Sequence, residues 1–349
     1  MALGLPPETP AMTTPQTSDA AAQARLWVPI LARYREPSDR RSLAEIAVTL
    51  IPFLLLWALG WWALDVSRWL AVAIALLNGA FLVRIFVIQH DCGHGSLFRR
   101  KTLGDWVGRA LGVLTVTPYD VWRRIHAVHH GAAGNLDRRG PGEVYTMTVA
   151  EYRAHTPLGR LRYRLYRHPV VLFGLGPAWV FLFENRLPLG LMGAGARYWV
   201  SAMGTNLAVA AALGGIIVFG GLEPVFLLFL PTTLCAATIG VWLFYVQHQF
   251  EETLYEHEPD WDLHEAALHG SSHYDLPVAL HWLTGNIGLH HVHHLNSRIP
   301  FYRLPAVMRD HPGLDGAQRL TLAESLRCVK LKLWDEDRRR LVTLDAALA

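Results

Sequence analysis

Residues 46–64 read IAVTLIPFLLLWALGWWAL, nineteen consecutive positions without a charge. A helix rising 1.5 Å per residue needs roughly 20 residues to cross a hydrocarbon core about 30 Å thick. Inside lipid such a run satisfies its own backbone only as a helix. The stretch therefore reads as a membrane span, and the rest of the chain agrees. Tyr198 to Leu222 and Pro224 to Gln247 are likewise uncharged, and a fourth apolar run extends from about Trp69 to Gln89 with Asn78 and Arg84 inside it. An arginine at mid-bilayer is costly, so Arg84 is read as an anchor whose head group snorkels to the interface. Over all 349 residues 52% are hydrophobic and 17% charged, against about 25% charged in soluble domains.

Two shorter apolar runs, Leu111 to Thr117 and Val170 to Phe183, fall below spanning length; the second carries Gly174, Gly176 and Pro177 and reads as an interfacial or re-entrant piece packed on the bundle. Four spans (about 46–64, 69–89, 198–222 and 224–247) return the chain to the side where it began. Arg25, Arg33, Arg35, Arg40 and Arg41 precede the first span, and Arg99, Arg100, Lys101, Arg123, Arg124, Arg138 and Arg139 lie between the second and third, whereas the opposite face offers only Arg68 and Glu223. The positive-inside rule puts both termini and the long middle loop in the cytoplasm, which makes this a multi-pass protein of the cell inner membrane. The expected architecture is all-α: an integral membrane four-helix bundle under a cytoplasmic helical cap.

The start, MALGLPPETPAMTTPQTSDAAAQ, has no apolar signal-peptide core and reads as a disordered tail, with LWVPILARY at 26–34 lying along the interface. The domain division is thus 1–42 as a disordered or interfacial segment and 43–349 as the membrane domain. The end, LTLAESLRCVKLKLWDEDRRRLVTL, reads as an amphipathic helix plus a charged tail. Cys92, Cys235 and Cys328 form no disulfide framework. The net charge of +3 suits a basic cytoplasmic face, and without a compact basic motif it gives no reason to expect a nucleic-acid partner.

Three histidine clusters stand out: HDCGH at 90–94, HAVHH at 126–130 and LHHVHHL at 289–295, with His248 alone at the end of the fourth span. All fall on the cytoplasmic side of a topology drawn without them. Helical residues four apart differ by about 40° in azimuth and those three apart by about 60° the other way. His90 and His94 therefore share a face, and His126, His129 and His130 can present three nitrogens to one small volume. In the last cluster His290, His293 and His294 form such an arc, but so do His290, His291 and His294; the first is preferred because it repeats the 126–130 pattern. Eight imidazoles exceed what one metal takes, so two ions are indicated, and imidazole alone does not choose among zinc, copper, iron and nickel. Cys92 points off the His90–His94 face, and Asp91 is better suited to accept a ligand's free N–H than to bind metal. The HExxH zinc-protease pattern is absent, and isolated His155, His168 and His311 read as solvated or structural.

These residues, with TPYDVWRRIHAVHH at 117–130, FYVQHQFE at 244–251 and LTGNIGLHHVHHLNSRIPFYRLP at 283–305, resemble the membrane fatty acid desaturase family, most closely its bacterial acyl-lipid type. The resemblance covers most of the chain after about residue 43. It implies a diiron centre with His90, His94, His126, His129, His130, His290, His293 and His294 as ligands and His248 as a ninth. It also implies an oxidoreductase that uses dioxygen and two external electrons to introduce a cis double bond into a lipid-linked acyl chain. Asn286, four residues before His290 and so on its helical face, would orient a ligand or hold a water; His273 and His281 match no motif position and read as structural. Trp122, Trp261 and Trp282 are candidates to line an apolar acyl tunnel entered from the bilayer. With no dinucleotide fingerprint, electrons must come from a ferredoxin-like or other external carrier. HPGL at 311–314 superficially matches a haem-binding HPGG, but no domain is left to hold a haem. Two alternatives remain at this level: a hydroxylase, epoxygenase or carotenoid ketolase on the same scaffold, and a membrane metal transporter, which would favour ligands at the bilayer midplane.

Overall fold

The computed structural model describes residues 17–140, 142–316 and 319–348. After helix α1 (Thr17–Leu31) come the first two spans, α2 (Asp39–Leu64) and α3 (Arg68–His94). Amphipathic α4 (Lys101–Leu114) and α5 (Tyr119–Ala132) follow, then short α6 (Val149–Ala154), α7 (Pro157–Tyr166) and α8 (Gly176–Leu182). The third span is α9 (Ala196–Gly220), and the fourth, Val225–His248, begins with a π-helical turn and continues as α10 (Leu230–His248). The expected all-α membrane bundle is the observed architecture, with four helices long and apolar enough to cross a bilayer. The most apolar window of α3 is 61% buried against 22%, 17% and 28% for the other three spans, so α3 is the axis, packed by α2, α4 and α10. It begins at Ser67, whose hydroxyl caps Leu70 N–H, and ends at Gly95, whose φ of +66° stops the helix directly after His94. The last two turns of the central span thus carry the HDCGH residues.

Arg84 does not snorkel. It is 1% exposed and pairs with Glu45 of α2, which also pairs with Arg41. Its guanidinium donates to Thr49 Oγ1 at 3.1 Å and to the Trp282 carbonyl, and lies 4.0 Å from the Trp282 ring centroid. Glu45 immediately precedes the uncharged stretch at 46–64, so a reading by uncharged length leaves the counter-ion outside the bundle. The Val170–Phe183 segment is, as expected, a short piece against the bundle: Leu172 is buried, and Thr238 of α10 donates to the Phe173 carbonyl at 2.9 Å.

A cap of short helices covers one end of the spans: α11 (Leu263–His269), α12 (Val278–Leu283), α13 (His290–Leu295), α14 (Leu304–Asp310), α15 (Leu322–Cys328) and α16 (Leu344–Leu348). Two small sheets brace it. Strand β1 (Met147–Thr148) runs parallel to β4 (Leu331–Asp335), which pairs antiparallel with β5 (Arg340–Thr343); β2 (His273–Asp275) runs parallel to β3 (Arg319–Thr321). The stretch expected to be a helix with a charged tail is instead the short helix α15 followed by the β4–β5 hairpin, with α16 after it. LKLWD alternates with the period of a strand, and Leu333, Trp334, Leu341 and Val342 are buried in the hairpin. Arg167, 1% exposed, ties this sheet to the bundle: it donates to Gln249 Oε1 at 2.7 Å, Thr146 Oγ1 at 3.0 Å and the Leu331 carbonyl at 3.1 Å.

The start of the chain also departs from expectation. The tail expected to be disordered reaches Gln23, yet Thr17 onward is helical; its first sixteen residues lie outside the described residues. Helix α1 packs on α11 and α13, with Ala24 and Leu31 fully buried and Arg25 paired to Asp262. Ala24, Trp27 and Leu31 pack against the core of the cap, whereas Leu26 is exposed. Trp27 and Tyr34 both stand edge-on to His311, which accounts for the histidine of HPGL as a packing residue.

Candidate metal centre

Helices α3, α5, α10 and α13 converge beneath the cap and bring nine imidazoles together in two groups: His90, His94, His126, His130 and His293, and His129, His248, His290 and His294. Within each group one nitrogen from every ring lies within 4.8 Å of all the others. The Nε2 atoms of the first follow one another at 3.3 Å (His90 to His94), 3.0 Å (His94 to His126), 3.1 Å (His126 to His130) and 3.1 Å (His130 to His293). In the second, His248 Nε2 lies 3.2 Å from His129 Nε2 and 3.0 Å from His290 Nε2. The groups adjoin, since the His130 and His294 rings stack at 4.1 Å.

Helix geometry explains the division. His126 and His130, one turn apart, face the first group, whereas His129, rotated the other way, faces the second; α13 likewise sends His293 to the first and His290 and His294 to the second. The expectation that 126, 129 and 130 serve one volume is thus corrected: they serve two. His291 turns away and lies against His273, ring centroids 5.7 Å apart, which resolves the ambiguity of the last cluster in favour of 290, 293 and 294.

The outward nitrogens fix tautomers. His248 Nδ1 lies 2.9 Å from the Gly270 carbonyl; a carbonyl only accepts, so Nδ1 carries the proton and Nε2 offers its lone pair inward. Asp91, 1% exposed, puts Oδ1 3.1 Å from His90 Nδ1 and accepts the Phe301 N–H on Oδ2 at 2.7 Å. Burial, reinforced by neighbouring rings, holds His126, His130, His290, His293 and His294 well below the ordinary histidine range, and brings His129 to about 3. Neutral rings whose nitrogens meet nitrogens at hydrogen-bond distance, with His290 Nδ1 and His294 Nε2 buried and unpaired, are a donor set suited to cations that take imidazole. The residues fit two metal ions, one to a group.

Sequence reasoning missed Glu143. Burial pushes its carboxyl up to about 8, with Arg139 pulling the other way, and its Oε1 stands 3.8 Å from His129 Nδ1. It sits in a loop, where no helical spacing relates it to the histidines. Asn286 does not share a helix face with His290: α13 begins only at His290, and Asn286 sits in a turn at φ +54°. Its side-chain amide donates to the Phe301 carbonyl at 3.3 Å, so it meets Asp91 through that backbone instead of reaching a ring. His273, Asp275 and His281 form a third group, but Asp275 accepts from Arg319 at 2.7 Å and His281 Nε2 accepts the Leu276 N–H at 3.1 Å; this suits a structural role.

Of the three tryptophans, Trp122 is at the site. It lies one turn before His126, stacks on that ring at 4.7 Å, and meets Phe86 edge-on at 5.4 Å. Phe86, one turn before His90, is the one residue from Leu82 to Cys92 that is not fully buried, and it contacts Phe181 of α8 at 6.4 Å. Trp261 instead donates to the Ala133 carbonyl at 3.0 Å beneath Arg138, and Trp282 stacks on Arg84; neither contacts a ring of either group.

The fatty acid desaturase family model matches residues 67–325. A fatty acid desaturase of Bacillus subtilis is 42% identical over 316 residues, 90% of this chain and 89% of its own. An sn-1 oleoyl-lipid 12-desaturase of Synechocystis is 26% identical, covering 87% of this chain and 86% of its own. An sn-1 acyl-lipid omega-3 desaturase (ferredoxin) from the same organism is 28% identical, over 66% and 64%.

Proposed function

The chain belongs to the fatty acid desaturase family, and on that premise we propose that it introduces a cis double bond into a lipid-linked acyl chain with two irons held by the nine histidines. The observation that carries the reading is the gathering of those imidazoles from four separate helices, in two adjoining groups, at one end of the spans. A transport path would instead place ligands at the midplane.

In the overall reaction a –CH2–CH2– unit loses two hydrogens, dioxygen takes them up with two electrons and two protons, and two waters leave. Bound iron supplies the activation of dioxygen needed to take hydrogen from an unactivated methylene, which no side chain achieves. The protein's own part is to hold neutral imidazoles in place and keep bulk water out. Trp122 and Phe86, one helical turn from His126 and His90, are suited to guide an acyl chain entering from the bilayer past Phe181. The basic face formed by exposed Arg99, Arg100, Lys101 and Arg124 suits an acidic carrier such as a ferredoxin, and the name of the Synechocystis omega-3 enzyme supports that partner. The arginine distribution supports placement in the inner membrane with the histidines and both termini cytoplasmic.

The test is expression with a ferredoxin in a host of simple lipid profile, followed by fatty acid analysis. New double bonds are expected, and none with His130→Ala. An added oxygen in place of the double bond, or double bonds that persist in the variant, would refute the reading.

A further inference from the structure

The second group of imidazoles has an acid behind it. Glu143 lies between α5 and β1, with Oε1 3.8 Å from His129 Nδ1; both atoms are buried and neither has a hydrogen-bond partner. His129 turns its other nitrogen inward, 3.2 Å from His248 Nε2. If Nε2 offers a lone pair there, Nδ1 must carry the ring proton. A cavity of about 20 Å³ lined by His129, Glu143, Thr253 and Tyr255 adjoins the gap, enough for one water, and a polar gap wider than about 3.5 Å can be bridged by one.

The same molecule supplies the comparison. In the first group Asp91 Oδ1 lies 3.1 Å from His90 Nδ1. A metal-bound imidazole usually gives its second N–H to a carboxylate or carbonyl, which fixes ring orientation and strengthens the ligand. Resting on the metal centre proposed above, we infer that Glu143 is a positioning residue of the four-histidine group, its carboxylate accepting the Nδ1 proton of His129 through one water. Each group then has one acid at its back, Asp91 behind His90 and Glu143 behind His129. Glu143 touches neither substrate nor reacting atoms, and acts through His129.

The experiment compares wild-type protein, Glu143→Gln and Glu143→Ala after loading with Mössbauer-active iron, reading iron content, release to a chelator and the spectrum. Wild type should hold one iron for each group. In Glu143→Ala one iron should leave roughly tenfold to a hundredfold faster, with only its spectral component altered, and His129→Ala should affect that same component. Glu143→Gln keeps the volume and an acceptor oxygen, so it should fall between; should the alanine variant not fold, the glutamine variant decides. Wild-type release and spectra in the Glu143 variants would overturn the inference and leave the metal centre standing. A wild-type protein that takes up no iron would overturn both.

Discussion

His291 and His294 sit three residues apart on one six-residue helix, yet they face different surroundings. His294 stacks on His130 between the two imidazole groups, and His291 lies fully buried against His273. Replacing His294 with alanine should therefore cost the four-histidine group its iron and abolish activity, whereas His291→Ala should leave iron content near wild type and act only on stability. Metal analysis of the folded fraction of each variant checks this, and equal iron loss would contradict the assignment. At this scale much could be read from spacing alone, because the imidazoles recur at helical intervals. The allotment of His126, His129 and His130 to two volumes could not, since it depends on which neighbouring helix each ring meets. Asn286 departs from the expected face for a related reason: a residue four positions before a helical histidine shares its face only if the helix extends that far, and here a left-handed turn intervenes.

The spans stand out at the level of elements because uninterrupted apolar length is a strong signal, and the charges inside them are where that signal misleads. Arg84 and Glu45, with side chains 1% and 5% exposed, form an ion pair that a search for uncharged stretches splits. Leaving one partner of such a pair alone costs about 3–5 kcal/mol. Glu45→Gln should approach that loss, because Arg84 keeps no acid. Arg84→Met should cost less, because Arg41 still pairs with Glu45 at 2.6 Å, and combining the two should recover part of the glutamine variant's deficit. Unfolding in detergent measures all three, and a more damaging Arg84→Met would mean that the pair is not what holds α2 to α3. The terminal hairpin is not legible in the sequence because its strands are short and its alternation spans too few residues to outweigh a helix-like amphipathic pattern.

For the molecule as a whole, arginine bias and apolar length lead to one topology, with the loops holding Arg68 and Glu223 on the side opposite the cap. In right-side-out membrane vesicles a membrane-impermeant thiol reagent should label Glu223→Cys without lysis and Arg338→Cys only after it. The reverse pattern would invert the orientation. The cap's internal order was less legible, because it rests on pairings between distant segments, such as β1 with β4 and α1 with α11 and α13, that no local pattern encodes. Both imidazole groups draw on α13, His293 for one and His290 and His294 for the other, while the last span already ends at His248. All four spans are therefore synthesised before the residues that complete either group exist, and neither group can close until translation has reached α13.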